Sequence, residues 1–482
     1  MNKNYIYALL AVALFLRLLN IGKPIIGINT WRQADTAAMS RNFIEYDGNI
    51  LHPQIDWGGV PPSMVEAEFQ IYTFITSIGY RVFGVNLLVP RLFSIICSLL
   101  SMFFLYLMIK KYAGEKAALW SVFIYSILPL NILFQNQVQP EPLMLMSIVA
   151  GLYFFDKWID EENLIVLIVS AVFVSIACLI KPTSFHIALP IMYLSWKKYK
   201  SKMFLQPALI LFAVFTMAVV TLWYYYAHQI KFQTGLTFGI WEYGEDKWGN
   251  WKMLSTWKFW NTIVFNLLAG RHFTWAGFPI LVFGIYSWKK NTARLFDVWL
   301  LSAVIYILIA ARGNYVHAYY QFPFILPAVY YMGTVCARYC IPGNLVKKPS
   351  LVLHILLIGM IILSGVIYSQ AVKKQDTSTD KMFLLAEDIK RALPAETPMI
   401  IVDQQDPVGF YNSHTKGWHM IAANFDSLQI SMAVRKGARY LALIHADFID
   451  TPGELYKNSL AANNKTIVNN TNSLIVSLEK FK

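Results

Sequence analysis

Two kinds of side chain in this sequence could do chemistry: acids set beside apolar runs, and a few cations and imidazoles at the ends of the same runs. Asp35 sits in Trp31-Arg32-Gln33-Ala34-Asp35-Thr36, and two more acids follow in Glu66-Ala67-Glu68-Phe69. Glu141 comes directly after Gln139 and Pro140, and Lys181 ends an apolar run with Pro182 behind it. The stretch from Arg312 through His317 and Tyr320 to Pro323 adds a guanidinium, an imidazole and phenols, with His228 and His272 in the connector before it. A carboxylate near an acceptor hydroxyl can take its proton, and a cation near a departing phosphate can stabilise the charge that develops there. Each residue also has a plainer reading. A loop acid is usually just solvated, and Glu141 suits the first turn of a helix by complementing its dipole. Lys181 could be a lysine snorkelling to the interface, and the rings around His317 could be interfacial anchors. The acids, each in a proline or aromatic context, weigh toward chemistry as a group rather than singly.

The elements that carry these residues are apolar runs. The chain has 482 residues, of which 56% are hydrophobic, 15% aromatic and 14% charged. Soluble domains carry about a quarter charged residues. Runs near the roughly 20 residues needed to cross a hydrocarbon core recur as far as about residue 371. We count about eleven spans. The first, Tyr5 to Ile21, lacks a small-residue cleavage site and reads as an uncleaved helix. Val89–Ile109, Ala117–Phe134, Leu143–Ile159, Leu164–Ile180, Ser184–Trp196 and Phe204–Ala227 follow, and three further crossings end near Ala311, Met332 and Gln370. Gln70–Phe83 is apolar but short, and is expected to lie along the interface. External connectors are expected at residues 23–69 and, rich in tryptophan, at 228–275.

The net charge of +13 follows from topology rather than from a nucleic-acid partner. Lys110, Lys111, Lys197, Lys198, Lys200, Lys202, Lys289, Lys290, Arg294, Lys347 and Lys348 all lie in short connectors, the pattern of cytoplasmic loops. Counting outward from a cytoplasmic amino terminus, Asp35, Glu66, Glu68, Glu141, Lys181, His228, His272 and His317 emerge on the opposite face. The four cysteines sit in spans (Cys97, Cys178) or near a cytoplasmic end (Cys336, Cys340), so no disulfide framework is expected. After about Lys373 charged residues appear freely. Short β-like runs (Met399–Val402, Tyr440–Ile444, Ser473–Leu478) alternate with helix-like ones (Lys381–Leu393, Asp426–Lys436). The expected architecture is therefore an α-helical polytopic membrane protein, residues 1–372, with a small extracytoplasmic α/β domain at 373–482.

Asp35 after the first helix, Glu-Phe-Gln-Ile-Tyr and Tyr-Arg-Val-Phe-Gly-Val, Pro-Arg-Leu-Phe-Ser, Gln-Pro-Glu-Pro-Leu, Leu-Ile-Lys-Pro-Thr and His-Ala-Tyr-Tyr-Gln-Phe-Pro occur in that order. In order and spacing, over roughly residues 1–340, the chain resembles the bacterial GT-C membrane glycosyltransferases of family 39 type, the protein mannosyltransferase and aminoarabinose transferase-like proteins. That resemblance implies a polyprenyl-phosphate sugar donor and a catalytic base in the first external loop, the place of Asp35. The family's frequent Asp-Glu pair is here Ala34-Asp35. Its aminoarabinose branch has Glu-Lys-Pro where this chain has Glu68-Phe69-Gln70. Glu68 can inherit the acid that contacts a metal in that branch, but the phosphate-binding lysine is absent. Glu141 stands where relatives commonly carry Asp.

The expected activity is transfer of a sugar to an acceptor hydroxyl of a lipid, a protein or a cell-envelope glycan, at the outer face of the plasma (inner) membrane. Asp35 is the expected base, with Glu68 and Glu141 as further acids. Lys181, Arg312, His317 and Tyr320, or a divalent metal ion held by Glu68, are the candidates for the donor phosphate. The alternative is a transporter or flippase of a lipid-linked sugar. Transporters place ionisable groups at the midplane on broken helices and often show inverted repeats, whereas here the span centres are nearly charge-free and no repeat is visible. A membrane-anchored binding protein would leave the loop acids unexplained.

Overall fold

The structure, a computed structural model, describes residues 4–239, 247–287, 294–340, 348–403, 407–422, 425–448 and 453–479. Lys289, Lys290 and Lys347 lie outside the described residues. The chain forms two compact units. One comprises Met1–Ile21, Arg91–Tyr225 and Gly239–Gln370; the other comprises Gly22–Pro90, Tyr226–Phe238 and Ala371–Lys482. The second unit joins the C-terminal part to the first connector, acids included, and to Tyr226–Phe238.

The first unit is helical. Among the described residues, four helices are long and apolar enough to cross a membrane: Leu88–Ile127, Glu141–Glu161, Pro207–Thr234 and Pro349–Lys373. Only 28% of the apolar stretch is buried in each of the last two, so their Leu, Ile and Val side chains need lipid around them. Tyr5–Leu18, Leu164–Ile180 and Thr274–Tyr286 are apolar but shorter. The count of about eleven spans thus meets four full-length helices, and the reason is punctuation. Leu88–Ile127 bends at Gly114, where φ is 84° and no side chain crowds the turn. The expected span Ala117–Phe134 breaks at extended Leu128, and Pro129 starts a separate short helix, Pro129–Phe134. Lys181 is extended before Pro182, which opens a 3₁₀ turn, Pro182–Ile187, and delays the next helix to Ala188–Tyr199. A π-helical stretch, Asn261–His272, precedes Thr274.

In a connector expected to be cytoplasmic, carboxylates answer the lysines: Lys111 Nζ is 2.6 Å from Asp156 and 2.7 Å from Asp160. Arg17 is fully buried near the end of the first helix. It donates to Gln135 Oε1 at 2.8 Å and Ser98 Oγ at 2.8 Å, fastening that helix to the segment leading to Glu141.

In the second unit, residues 23–69 are not merely a polar connector. Thr30–Glu45 is a helix, with every residue from Gln33 to Phe43 buried. Ile71–Phe83 follows as an inverted amphipathic helix. Thr73, Thr76 and Ser77 are buried, Ser40 Oγ lies 2.7 Å from Thr76 Oγ1, and Ile78, Val82 and Phe83 are exposed. Polar side in and apolar side out suits lipid at the interface.

A six-stranded sheet completes this unit: β1 (Gly58–Gly59), β2 (Pro398–Asp403), β3 (Lys416–Ile421), β4 (Tyr440–Ile444), β5 (Thr466–Asn469) and β6 (Ser473–Ser477), in the order β1-β3-β2-β4-β6-β5. β3, β2 and β4 run parallel; β6 adds antiparallel to β4, β5 adds antiparallel to β6, and β1 adds antiparallel to β3. Two apolar layers cover the sheet, one centred on Ile400, Leu441 and Val476, the other on Ile401, Ala442 and Ile475, as alternation along the strands requires. Gly417 permits β3 to pass close to β2: its φ is +148°, and a Cβ there would lie 1.8 Å from the Met399 carbonyl oxygen.

Candidate active site

The Thr30–Glu45 helix carries Asp35, only 6% exposed, with its carboxylate accepting a hydrogen bond from the Trp57 indole Nε1 at 2.9 Å. One turn earlier on the same helix, Arg32 forms an ion pair with Glu68. Trp57 meets Trp31 edge to face, with ring centres 6.2 Å apart, and Phe238 at 6.3 Å. Glu66 is fully buried; it contacts His228 Nδ1 at 3.1 Å and accepts from the Thr237 hydroxyl. Backbone bonds from Glu66 N to Leu236 O and from Phe238 N to Glu66 O, both 3.0 Å, fix its position. Asp35, Glu66, Glu68 and His228 thus share one unit, whereas Glu141, Lys181, Arg312, His317 and Tyr320 belong to the other.

In that helical unit, Glu141 is the first residue of its helix and 1% exposed. Lys181 Nζ lies 2.8 Å from Glu141 Oε1. The same ammonium sits 4.2 Å from the centre of the Tyr320 ring and 4.6 Å from that of Tyr319. The Tyr320 ring packs against Gly313, where a Cβ would come within 2.7 Å of it, and stacks with His317 at 5.5 Å. Lys181 is therefore held by a carboxylate and two aromatic faces, a desolvated cation site. Arg312 and His317 are exposed.

A second charged network was not foreseen from sequence. Asp56, 2% exposed, receives Arg41 Nη2 at 2.5 Å, Lys416 Nζ at 2.9 Å and Asn42 Nδ2 at 3.1 Å. Lys416 Nζ also lies 3.3 Å from Glu45, whose other oxygen is 2.8 Å from His414 Nε2. No spacing in the sequence signals a pairing across 360 residues. The detectable hints are Lys416 at the head of an apolar strand and Arg41 and Glu45 one turn apart in Thr30–Glu45. Burial opposes ionisation of Asp56, yet Arg41 and Lys416 outweigh it and hold the carboxyl below its ordinary range. A depressed folded-state value stabilises the fold above the unfolded carboxylate range, near 3.9, and that contribution is lost as pH falls through the depressed value. Thermal unfolding between pH 7 and 3 should show this loss in the wild type and a smaller one in Asp56→Asn. That variant should already be weaker at pH 7 by about 3–5 kcal/mol, because two buried cations lose this carboxylate and are left to share Glu45.

Among the described residues, the donor sets for a metal ion are incomplete or contested. Glu45, Glu396 and His414 bring ligand atoms within 4.8 Å of one another, but Lys416 and Arg41 already neutralise Glu45. Glu66 and His228 supply one carboxylate and one imidazole, short of the three protein ligands usual in a catalytic zinc site. Glu68, the expected ligand, is engaged by Arg32. No step is therefore derived through a metal.

Residues 70–226 match the family model described as dolichyl-phosphate-mannose-protein mannosyltransferase. No curated protein matches the sequence. Among solved structures, the fold is similar to ArnT from Cupriavidus metallidurans bound to undecaprenyl phosphate, with a TM-score of 0.66 at 12% identity over 99% of this chain and 98% of that one. It is also similar to the archaeal oligosaccharyltransferase AglB from Archaeoglobus fulgidus in complex with an inhibitory peptide and a dolichol-phosphate, with a TM-score of 0.56 at 10% identity over 96% and 72% of the two chains. Another structure of the Archaeoglobus fulgidus oligosaccharyltransferase, in complex with zinc and sulfate, gives a TM-score of 0.55 at 11% identity over 94% and 70%. The chain resembles the GT-C membrane glycosyltransferases in fold over nearly its whole length and in sequence over residues 70–226.

Proposed function

We propose that the protein transfers a sugar from a polyprenyl-phosphate-linked donor to an acceptor hydroxyl at the extracytoplasmic face of the plasma membrane. The observation that carries this reading is Asp35: a carboxylate only 6% exposed, on a buried polar helix, with an indole N–H aimed at it. A solvated loop acid has no need of such a setting, whereas a general base does. The likeness to ArnT bound to undecaprenyl phosphate supports the donor class. A lipid-linked sugar stays in the bilayer, which suits a chain that offers lipid both spanning helices and an inverted amphipathic one.

In this reading Asp35 takes the acceptor proton as the hydroxyl oxygen attacks the sugar's anomeric carbon and the bond to the phosphate oxygen breaks. Lys181, assisted by Arg312, offers positive charge to the departing polyprenyl phosphate. Glu141 orients Lys181, and Tyr319 and Tyr320 keep that cation from moving freely. His317 contributes ring packing against Tyr320. Glu68 keeps Arg32 in place beside Asp35.

Membranes containing the protein, given a panel of radiolabelled polyprenyl-phosphate sugars, should move label from one donor to one acceptor class. Mass analysis of the labelled product identifies sugar and acceptor together. No transfer from any polyprenyl-phosphate donor, with the protein folded and inserted, would overturn the proposal.

The orientation has its own test. The odd number of crossings counted in the sequence, from a cytoplasmic amino terminus, would put residues 373–482 outside. An alkaline phosphatase fusion at Lys482 should be active and a cytoplasm-only reporter silent; the reverse would put Asp35 on the wrong face.

A further inference from the structure

The C-terminal sheet and the segment bearing Asp35 are one folded body, and the bonds joining them lead toward the Asp35 carboxylate. β1 (Gly58–Gly59) comes from the first connector and pairs with β3 from the C-terminal part, Gly58 opposite Trp418. One residue before β1, Trp57 packs on the apolar layer formed by Leu385, Met399 and Phe410. On another side it packs against Met39, Ile55 and Val65. One residue earlier again, Asp56 is gripped twice from β3: Lys416 Nζ reaches its carboxylate at 2.9 Å, and the Gly417 N–H reaches its carbonyl at 2.9 Å. Arg41 and Asn42 hold the same carboxylate from the helix that carries Asp35. Lys416 is 1% exposed and Arg41 3%, so the grip is made in a desolvated setting where geometry is tightly held.

We infer that the C-terminal domain is a working part of the acid–base centre: Lys416 and Gly417 fix Asp56, and Asp56 fixes Trp57 so that its indole N–H orients the Asp35 carboxylate. Trp57 is then a positioning residue for the base, and Lys416 a positioning residue one step removed. This rests on the reading of Asp35 as the base. The chemistry asks for such a device. A carboxylate has two rotatable bonds, and a proton must pass to one defined oxygen in the transition state. An N–H on Oδ1 fixes the rotamer, and a ring packed on two apolar layers cannot follow the carboxylate if it swings. The sheet thereby supplies rigidity that the short, glycine-rich stretch around Gly58 and Gly59 lacks.

Trp57→Phe keeps an aromatic ring between the two apolar layers and removes the donor. It should lower kcat about ten- to a hundred-fold, the loss expected for one hydrogen bond to a charged group, while donor KM and the unfolding temperature stay near wild type. Lys416→Met should lower kcat per folded molecule in the same way, and Lys416→Arg, which keeps the charge, should recover part of it. A role in stability alone would reduce the folded fraction and leave kcat per folded molecule untouched. Asp35→Asn, measured alongside, separates the two claims. If Asp35→Asn is inactive while Trp57→Phe and Lys416→Met turn over at the wild-type rate, the coupling is wrong and the base stands. If Asp35→Asn turns over at the wild-type rate, the assignment of the base fails and the coupling falls with it.

Discussion

Asp35→Asn is expected to abolish transfer while the protein still folds and inserts. The substitution is nearly isosteric and keeps an oxygen able to accept from Trp57 Nε1, now 2.9 Å away, if the amide orients that way. It removes the basic oxygen, and loss of a general base lowers rate by about 10²–10⁴. Because Asp35 is only 6% exposed, the amide also removes a buried charge, so folding should not suffer; unfolding temperature serves as the control. Turnover at the wild-type rate in the purified variant would remove Asp35 from the mechanism. Glu66, fully buried with His228, and Glu68 would then be the acids to test.

Lys181→Ala is expected to weaken donor binding about ten- to a hundred-fold, the worth of one charge-assisted contact at roughly 1.5–3 kcal/mol. The ion pair with Glu141 adds a second effect. Alanine leaves the nearly buried Glu141 carboxylate, 2.8 Å from the missing ammonium, without that partner, a change worth about 3–5 kcal/mol of stability. A paired variant separates the two. Lys181→Met with Glu141→Gln restores a neutral, well-filled site and should recover the unfolding temperature but not donor affinity. Lys181→Arg should keep part of the affinity because it keeps the charge, although the fork will not pack between Tyr319 and Tyr320 as an ammonium does. If the paired variant regains wild-type donor affinity, Lys181 is a structural partner of Glu141, and Arg312 becomes the cation to test.

Much of the helical architecture could be read from hydrophobic runs, because lipid demands them. What periodicity could not give was the places where the runs break. Pro129 divides a stretch, Ala117–Phe134, that reads as one span; Gly114 and Pro182 fall between runs that already read as separate, and there only the local backbone geometry was hidden. In the C-terminal part, β2, β4 and β6 fall on runs rich in Ile, Val and Leu that were legible as strands. β3 was not, since Lys-Gly-Trp-His-Met-Ile breaks alternation with a buried lysine and a glycine. The Thr30–Glu45 helix was hidden for a related reason. Its buried face is made of Gln33, Asp35, Ser40, Arg41 and Asn42 as well as Ala34, Ala37 and Ala38, so it has no apolar stripe to detect. Polar residues of that kind are stable inside only when paired, and their partners at Asp56, Trp57 and Lys416 lie at sequence distances no local pattern encodes. Candidate chemistry was legible as residue types beside the membrane; which residues touch was not.

The central claim is that a sugar changes its covalent partner here, rather than merely changing leaflet. Purified protein in liposomes, supplied with a polyprenyl-phosphate donor labelled in the sugar and an extract of envelope acceptors, allows both processes to be followed at once. Transfer requires free polyprenyl phosphate to accumulate in step with loss of sugar from the lipid, with label appearing on an acceptor in wild type and not in Asp35→Asn. Label that stays lipid-linked while it moves between leaflets, equally in wild type and Asp35→Asn, would contradict it.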